Sequence, residues 1–113
     1  MTVAGITAKT RRILADTASP YRWSDAEIRE DIQSAVRRLN VIAPRTRYTA
    51  AGALLDFVEL PVGATAEIGI DGRYEEALAL YAAHLCYFND ATDTVNAERS
   101  ATCLARAEGL MAQ

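Results

Sequence analysis

The sequence has few of the residues that most often build catalytic or cofactor sites. Its 113 residues include one histidine, two cysteines and six glycines. The glycines are scattered and form no phosphate-binding loop, and cysteine and histidine do not recur at metal-ligand spacing. These shortages argue against a nucleotide-binding loop and a zinc site. We therefore expect no enzyme activity, no metal and no cofactor.

Long apolar runs are also missing. No run approaches the roughly 20 residues that span a bilayer, and Lys9, Arg11 and Arg12 interrupt the N-terminal segment where a signal peptide would be apolar. We expect a protein without membrane contact, made in the cytosol. The length suits a single domain over residues 1–113. Because 22 residues are alanine, the core should be thin and helix-rich, which favours burial against partners.

The two cysteines, Cys86 and Cys103, carry little functional information. If their helices form an antiparallel hairpin that turns near Ala91, the two residues are offset by about 10 Å at the helical rise. That offset is too large for a disulfide. We interpret both as reduced packing residues.

Basic and acidic residues are unevenly distributed along the chain. Residues 1–47 carry nine basic and five acidic side chains, whereas residues 48–113 carry three basic and ten acidic ones. Eleven of the twelve basic residues are arginine, which suits bidentate pairing at interfaces. Two interpretations stay open: solvated helix faces with pairing inside the chain, or head-to-tail association of copies.

The stretch from Trp23 to Ile28 has the pattern of a helix start. Ser24 suits the N-cap, and Glu27 lies three residues later, as in a capping box. Trp23 and Ile28 occupy the two positions of a hydrophobic staple. Trp23, Ser24, Glu27 and Ile28 are therefore predicted to be structural residues that fix how the chain enters this helix.

Hydrophobic periodicity predicts a mainly α fold, a small bundle of about four helices. The predicted helices cover residues 3–17, 25–41, 72–89 and 94–113, with Asp71 capping the third and a turn at residues 89–93. Residues 45–53 resemble an irregular basic loop. A short β-hairpin is predicted between helices two and three, from residues 54–60 and 65–70 around Pro61-Val62-Gly63. The third helix has apolar residues on two sides, which predicts burial from two directions.

A single histidine and a cluster of arginines are the two local candidates for a functional site. His84 lies mid-helix among apolar residues, which favours packing over general-base catalysis. The densest basic cluster comprises Arg37, Arg38, Arg45 and Arg47. No recognition helix follows it, so specific DNA reading is not expected, although non-specific contact with phosphates remains open.

Taken in order, the motifs resemble the head–tail adaptor (connector) proteins of tailed bacteriophages. The aromatic-Ser-Asp-x-Glu-Ile start of a long helix at residues 23–28 is the best marker. The other matching motifs are Leu14-Ala15-Asp16, Leu60-Pro61-x-Gly63, Asp71-x-Arg73-Tyr74-Glu75-x-Ala77-Leu78-x-x-Tyr81, Asp90 and Asn96-Ala97-Glu98-Arg99. The resemblance covers almost the whole chain.

The resemblance implies a structural virion protein at the head–tail junction, assembled in the bacterial cytoplasm. Such proteins form a homo-oligomeric, dodecameric ring under the phage portal protein. The ring extends the DNA channel, lies close to packaged DNA and provides the docking site for tail, stopper or nozzle proteins.

Two contact surfaces are predicted within that framework. The C-terminal helix should reach the portal through Ala101 and Ala105, with Leu110 and Met111 as anchors, although closing the bundle is an equal alternative for those two. Neighbouring copies should meet through basic residues of helix two, acidic residues of the second half and apolar hairpin residues. The predicted subunit-interface residues are Arg29, Arg37, Arg38, Phe57, Glu59, Glu67, Ile68, Glu75 and Glu76.

Two other functions remain open from the sequence. One is a small helical nucleic-acid-associated regulator, against which net acidity counts. The other is a small lyase with His84 as its base. Salt-dependent binding of duplex DNA by the monomer would favour the former, and the activity of a His84→Gln variant would decide the latter.

Overall fold

A computed structural model describes residues 1–49, 51–90 and 94–113, except for the side chain of residue 94. These ranges contain the four helices α1 (Val3–Leu14), α2 (Asp25–Ile42), α3 (Glu75–Asn89) and α4 (Thr94–Met111). Short 3-10 helices cover Pro44–Arg47 and Gly72–Tyr74. The mainly helical prediction is confirmed. The predicted turn at 89–93 lies largely outside the described residues.

Helix α3 forms the centre of the bundle. It packs against α1, α2 and α4, and eight of its fifteen residues are buried. Large side chains from the other helices complete the core, among them Ile6, Ile32, Leu39 and Met111, all fully buried. The predicted two-sided burial of α3 is confirmed, because α3 packs against three other helices. Only Glu76, Phe88 and Asn89 of α3 are exposed.

The start of α2 follows the predicted capping pattern. The Ser24 hydroxyl accepts a hydrogen bond from the Glu27 amide at 3.1 Å. Ile28 is fully buried, and Trp23 is half-buried against the core, with its ring edge-on to Tyr87 at a centroid distance of 6.4 Å. The predicted Ser24 cap is confirmed. The return bond from the Glu27 side chain to the Ser24 amide and direct contact between Trp23 and Ile28 stay predictions.

The predicted β-hairpin is wrong. Within the described ranges no strand forms, and residues 54–60 do not pair with residues 65–70. The first run instead lies along α2, where side chains satisfy its backbone. The Asn40 side chain accepts from the Val58 amide at 2.9 Å. The Gln33 side chain donates to the Val58 carbonyl at 3.1 Å and accepts from the Leu60 amide at 3.0 Å.

The second run pairs with the start of the chain. The Ile68 amide donates to the Met1 carbonyl at 2.9 Å, and Thr2 and Glu67 form an isolated antiparallel bridge. In this run Ile68 and Ile70 are buried, whereas Ala66 is exposed. The hairpin is therefore absent because each run finds another hydrogen-bonding partner.

The segment after α2 is more ordered than the predicted irregular loop. After the 3-10 helix at Pro44–Arg47, Tyr48 and Leu54 form an isolated antiparallel bridge. Gly52 has a φ of 82° in the turn between them, a left-handed conformation that favours glycine. None of the helices in the described part of the chain is long and apolar enough to span a membrane.

Candidate functional site

Five large apolar side chains are exposed on the described segment between α2 and α3, and four of them lie within residues 48–57. We call Tyr48, Leu54, Leu55 and Phe57 the apolar strip; their exposed fractions lie between 41% and 53%. Single exposed apolar residues are ordinary, but grouped ones often mark interaction surfaces. The predicted contact residue Phe57 belongs to this strip, whereas Tyr48, Leu54 and Leu55 were missed.

The sequence contained a signal for part of the strip. In an extended segment, alternate residues point to opposite sides. Val58 and Leu60 are buried, whereas Leu55 and Phe57, at the alternate positions, are 41% and 46% exposed. Apolar residues at both sets of positions therefore indicate a second, uncovered apolar face.

The predicted interface arginines of α2 all have partners within the same chain. Arg29 donates to the Pro61 carbonyl at 2.5 Å, and Arg38 lies 3.0 Å from the Glu108 carboxylate. Arg37 lies 4.0 Å from Glu59, and both of these side chains are mostly exposed. Arg29 and Arg38 therefore contact groups of their own chain at short distances, and the contact of Arg37 with Glu59 is the longest of the three.

The remaining predicted interface acids are also engaged within the chain. Glu67 lies 2.6 Å from the Met1 amino group, Glu75 lies 3.0 Å from Lys9, and Glu76 lies 3.6 Å from Arg106. Basic and acidic halves thus meet inside one molecule. Internal pairing was one of the two interpretations left open by the charge distribution.

Two predicted contact residues belong to the core instead of the surface. Ile68 is 4% exposed and Met111 is fully buried, so neither is free to contact a partner in the folded chain. Their apolar side chains close the bundle. Ala101 and Ala105 are exposed and Leu110 is half-buried, which leaves these three accessible on α4.

A buried arginine organises the connector between α1 and α2, which the sequence did not predict. Arg11 is 7% exposed. It donates to Asp16 at 2.9 Å, to the Trp23 carbonyl at 3.0 Å and to Asp25 at 2.6 Å. Its guanidinium also lies 3.8 Å from the centre of the Tyr21 ring. Helical periodicity puts Arg11 off the apolar side of α1, because periodicity does not reveal a buried ion pair.

His84 links α3 to α4. Its Nδ1 lies 2.7 Å from the Ser100 hydroxyl, which donates to the His84 carbonyl at 3.0 Å. Nδ1 also lies 3.2 Å from the Ser100 carbonyl oxygen, which can only accept, so a proton on Nδ1 suits both contacts. Burial lowers the pKa of His84, and hydrogen bonding to Ser100 partly opposes this change. The geometry favours a packing role over activation of Ser100.

Both cysteines are free and buried, as predicted. The Cys86 thiol donates to the Asp31 carboxylate at 3.2 Å. Burial raises the pKa of the Cys86 thiol and also that of the Asp31 carboxyl. A protonated thiol is a poor nucleophile, so this contact serves to pack α2 against α3.

Comparisons with protein-family models, curated proteins and solved structures gave no match. Among the described residues, no group of three or more histidine, cysteine, aspartate or glutamate side chains is placed to hold a metal ion. The apolar strip, with Arg37 and Glu59 nearby, is the candidate functional surface.

Proposed function

We propose that this protein is a head–tail adaptor of a tailed bacteriophage, a structural component that forms a ring under the portal. The proposal is carried by the order of the sequence motifs relative to the helices. The marker at residues 23–28 starts α2, and the Asp71 motif leads through a 3-10 helix into α3. The motif around Asn96 opens the alanine-rich α4.

The apolar strip is the proposed contact with the neighbouring copy. It replaces the pair of Phe57 and Ile68, because Ile68 is buried. Apolar contact supplies most of the affinity at such a surface, whereas exposed charge pairs contribute little each. Arg37 and Glu59 are the most exposed of the predicted charged pairs, and they would set the orientation of the neighbour.

The portal contact is assigned to the exposed surface of α4. Ala101 and Ala105 allow close approach of another backbone, and Leu110 adds an apolar edge. Deleting residues 108–113 would also remove the fully buried Met111 and so disturb the fold. Substituting Ala101→Glu with Ala105→Glu is a cleaner test, because both positions are exposed. This double variant should remain folded and lose portal binding.

The decisive experiment mixes the full chain with a phage portal protein and examines the product by negative-stain imaging. Wild-type chain should add a ring to the portal, and Leu55→Ser with Phe57→Ser should not. Phe88→Ser is the matched control, because Phe88 is 63% exposed and lies outside the strip. Failure of the wild-type chain to bind any portal, together with salt-dependent binding of duplex DNA, would instead favour the regulator.

A further inference from the structure

Two arginines converge on one buried tyrosine hydroxyl between the two 3-10 helices. The Nη2 atom of Arg45 lies 2.6 Å from the Tyr74 hydroxyl oxygen, and the Nη2 atom of Arg73 lies 3.0 Å from it. Tyr74 is only 3% exposed, whereas both arginines are exposed. Two cations thus share one neutral acceptor at the surface.

Local hydrogen bonds hold this arrangement in place. In the first 3-10 helix, the Thr46 hydroxyl donates to the Ala43 carbonyl at 2.7 Å and accepts from Asn40 at 2.8 Å. In the second, the Asp71 side chain accepts from the Arg73 amide at 3.0 Å. The backbones that carry the two arginines are therefore fixed before any ligand arrives, which lowers the entropy cost of binding.

In the described part of the chain, neither arginine of this pair forms an ion pair with an aspartate or glutamate side chain. Across the described ranges, no aspartate or glutamate oxygen lies within 4.0 Å of the side-chain nitrogens of Arg45 or Arg73. Arg45 also donates to the main-chain oxygen of the C-terminal Gln113 at 3.1 Å. Each guanidinium has five N–H donors, so donors remain on both side chains after these contacts.

A cavity of about 200 Å³ adjoins the pair. It is lined by both arginines, Tyr74, the half-exposed ring of Tyr48 and the backbone around Gly69. Asp71 also lines it and is the acidic group that faces a ligand there. The Tyr74 oxygen accepts from both arginines, and a phenol hydroxyl can also donate one hydrogen bond.

The geometry points to a phosphate-binding site formed by Arg45, Arg73 and the Tyr74 hydroxyl. Guanidinium groups bind phosphate oxygens through paired, charge-assisted hydrogen bonds, which a spherical chloride ion cannot match. The ligand would be a phosphate group, either a phosphodiester of a nucleic acid or free inorganic phosphate. This site goes beyond the adaptor proposal and does not depend on ring formation.

The first experiment titrates the full chain with inorganic phosphate at constant ionic strength, with chloride as the reference anion. Amide NMR signals of Gly72 and Arg73 should shift and saturate with phosphate only. Arg45→Gln and Arg73→Gln should each weaken phosphate binding by about tenfold or more, as expected for charge-assisted hydrogen bonds. Tyr74→Phe, which keeps the buried ring, should weaken binding to a smaller extent.

Arg12→Gln is the matched control, because Arg12 is exposed on α1 and its loss changes the net charge equally. It should leave phosphate affinity unchanged. The site would be overturned if the NMR shifts do not saturate, or if they persist when Arg45→Gln and Arg73→Gln are combined in a chain whose circular dichroism matches wild type.

A second experiment identifies the source of the phosphate group. Binding of a short duplex DNA is measured over a range of salt concentrations for the same variants. If a phosphodiester is the ligand, each arginine substitution should reduce the salt slope by about 0.9 relative to wild type. If Arg45→Gln and Arg73→Gln bind DNA as the Arg12→Gln control does, yet lose phosphate binding, free phosphate is the ligand.

Discussion

Arg11 holds the connector between α1 and α2 in one conformation. Its guanidinium donates to the Asp16 carboxylate and the Trp23 carbonyl of that connector, and to the Asp25 carboxylate at the start of α2. Asp16 in turn accepts from the backbone amides of Arg22 and Trp23, at 2.9 and 3.2 Å. Because Asp16 is 9% exposed in its side chain, its charge depends on Arg11 for compensation.

Arg11→Ala should therefore lower the free energy of unfolding by about 3 kcal/mol, since breaking a buried pair leaves an uncompensated charge. The measurement is urea unfolding followed by Trp23 fluorescence. Arg12→Ala, at the exposed neighbouring position, should change stability by less than about 0.5 kcal/mol. Equal effects of the two substitutions would show that the Arg11 network does not stabilise the fold.

At the scale of elements, α2 acts as a template for the extended segment at residues 58–61. Three of its side chains, Arg29, Gln33 and Asn40, bond to backbone groups of that segment. Asn40 is the most buried of them, at 2% exposure. These polar side chains form hydrogen bonds to backbone groups of the segment, as a neighbouring strand would in a sheet.

Asn40→Ala should lower stability by about 1–3 kcal/mol, because it leaves the buried Val58 amide without its acceptor. It should also speed hydrogen exchange at the Val58 and Leu60 amides more than elsewhere, which reports local opening of the segment. Exchange is measured by NMR at each amide. Ser34→Ala, at an exposed position on the same helix, should have neither effect. Slow exchange at Val58 in the Asn40→Ala chain would contradict the template.

The helices were predictable because their signals are local. Ser24 and Asp71 cap the helical segments that follow them, and apolar residues recur at helical spacing. The extended runs were predictable only in part. Alternation in residues 65–70 indicates that Ile68 and Ile70 share a buried side, but it puts the exposed Ala66 on that side too. It also does not identify the hydrogen-bonding partner of the run. Nothing in the sequence around Gln33 and Asn40 shows whether their side-chain amides are exposed to solvent or hydrogen-bonded to the backbone of another segment.

The candidate surfaces were less predictable than the fold. The sequence shows that basic and acidic residues are unevenly distributed between the two halves of the chain. It does not show which of them form ion pairs, because a pair such as Arg38 and Glu108 depends on how α2 packs against α4. The convergence of Arg45 and Arg73 requires residues 28 positions apart to meet at Tyr74. No short-range pattern contains that information.

At the scale of the whole molecule, the opposite charges of the two halves are partly neutralised within the chain. Exposed ion pairs contribute at most about 1 kcal/mol each. Arg37→Glu with Arg38→Glu should therefore stay folded, and circular dichroism checks this. We expect the variant not to assemble on a portal, because reversed charges would orient neighbours wrongly. Arg12→Glu with Arg99→Glu, which changes net charge equally, should assemble.

Mixing experiments separate contacts between copies from contacts within one. A second chain carries Glu59→Arg with Glu108→Arg. If the charges act between copies, an equimolar mixture of the two reversed chains should assemble although neither does so alone. The alternative outcome is that the mixture fails to assemble, whereas a single chain that carries all four substitutions assembles. The charges would then act within each molecule, and the predicted charged interface would be wrong.

Because α2 binds the backbone of residues 58–61, the residues that stabilise this segment differ from those that can contact a partner. Side chains of α2 form hydrogen bonds to the backbone of this segment, and every amino acid except proline has both a backbone N–H and a backbone carbonyl. Selection for folding therefore falls on Gln33, Asn40 and the inward Val58 and Leu60. The outward positions 55, 57 and 59 are free to change with a partner, so related chains can acquire new specificities here without rebuilding the bundle.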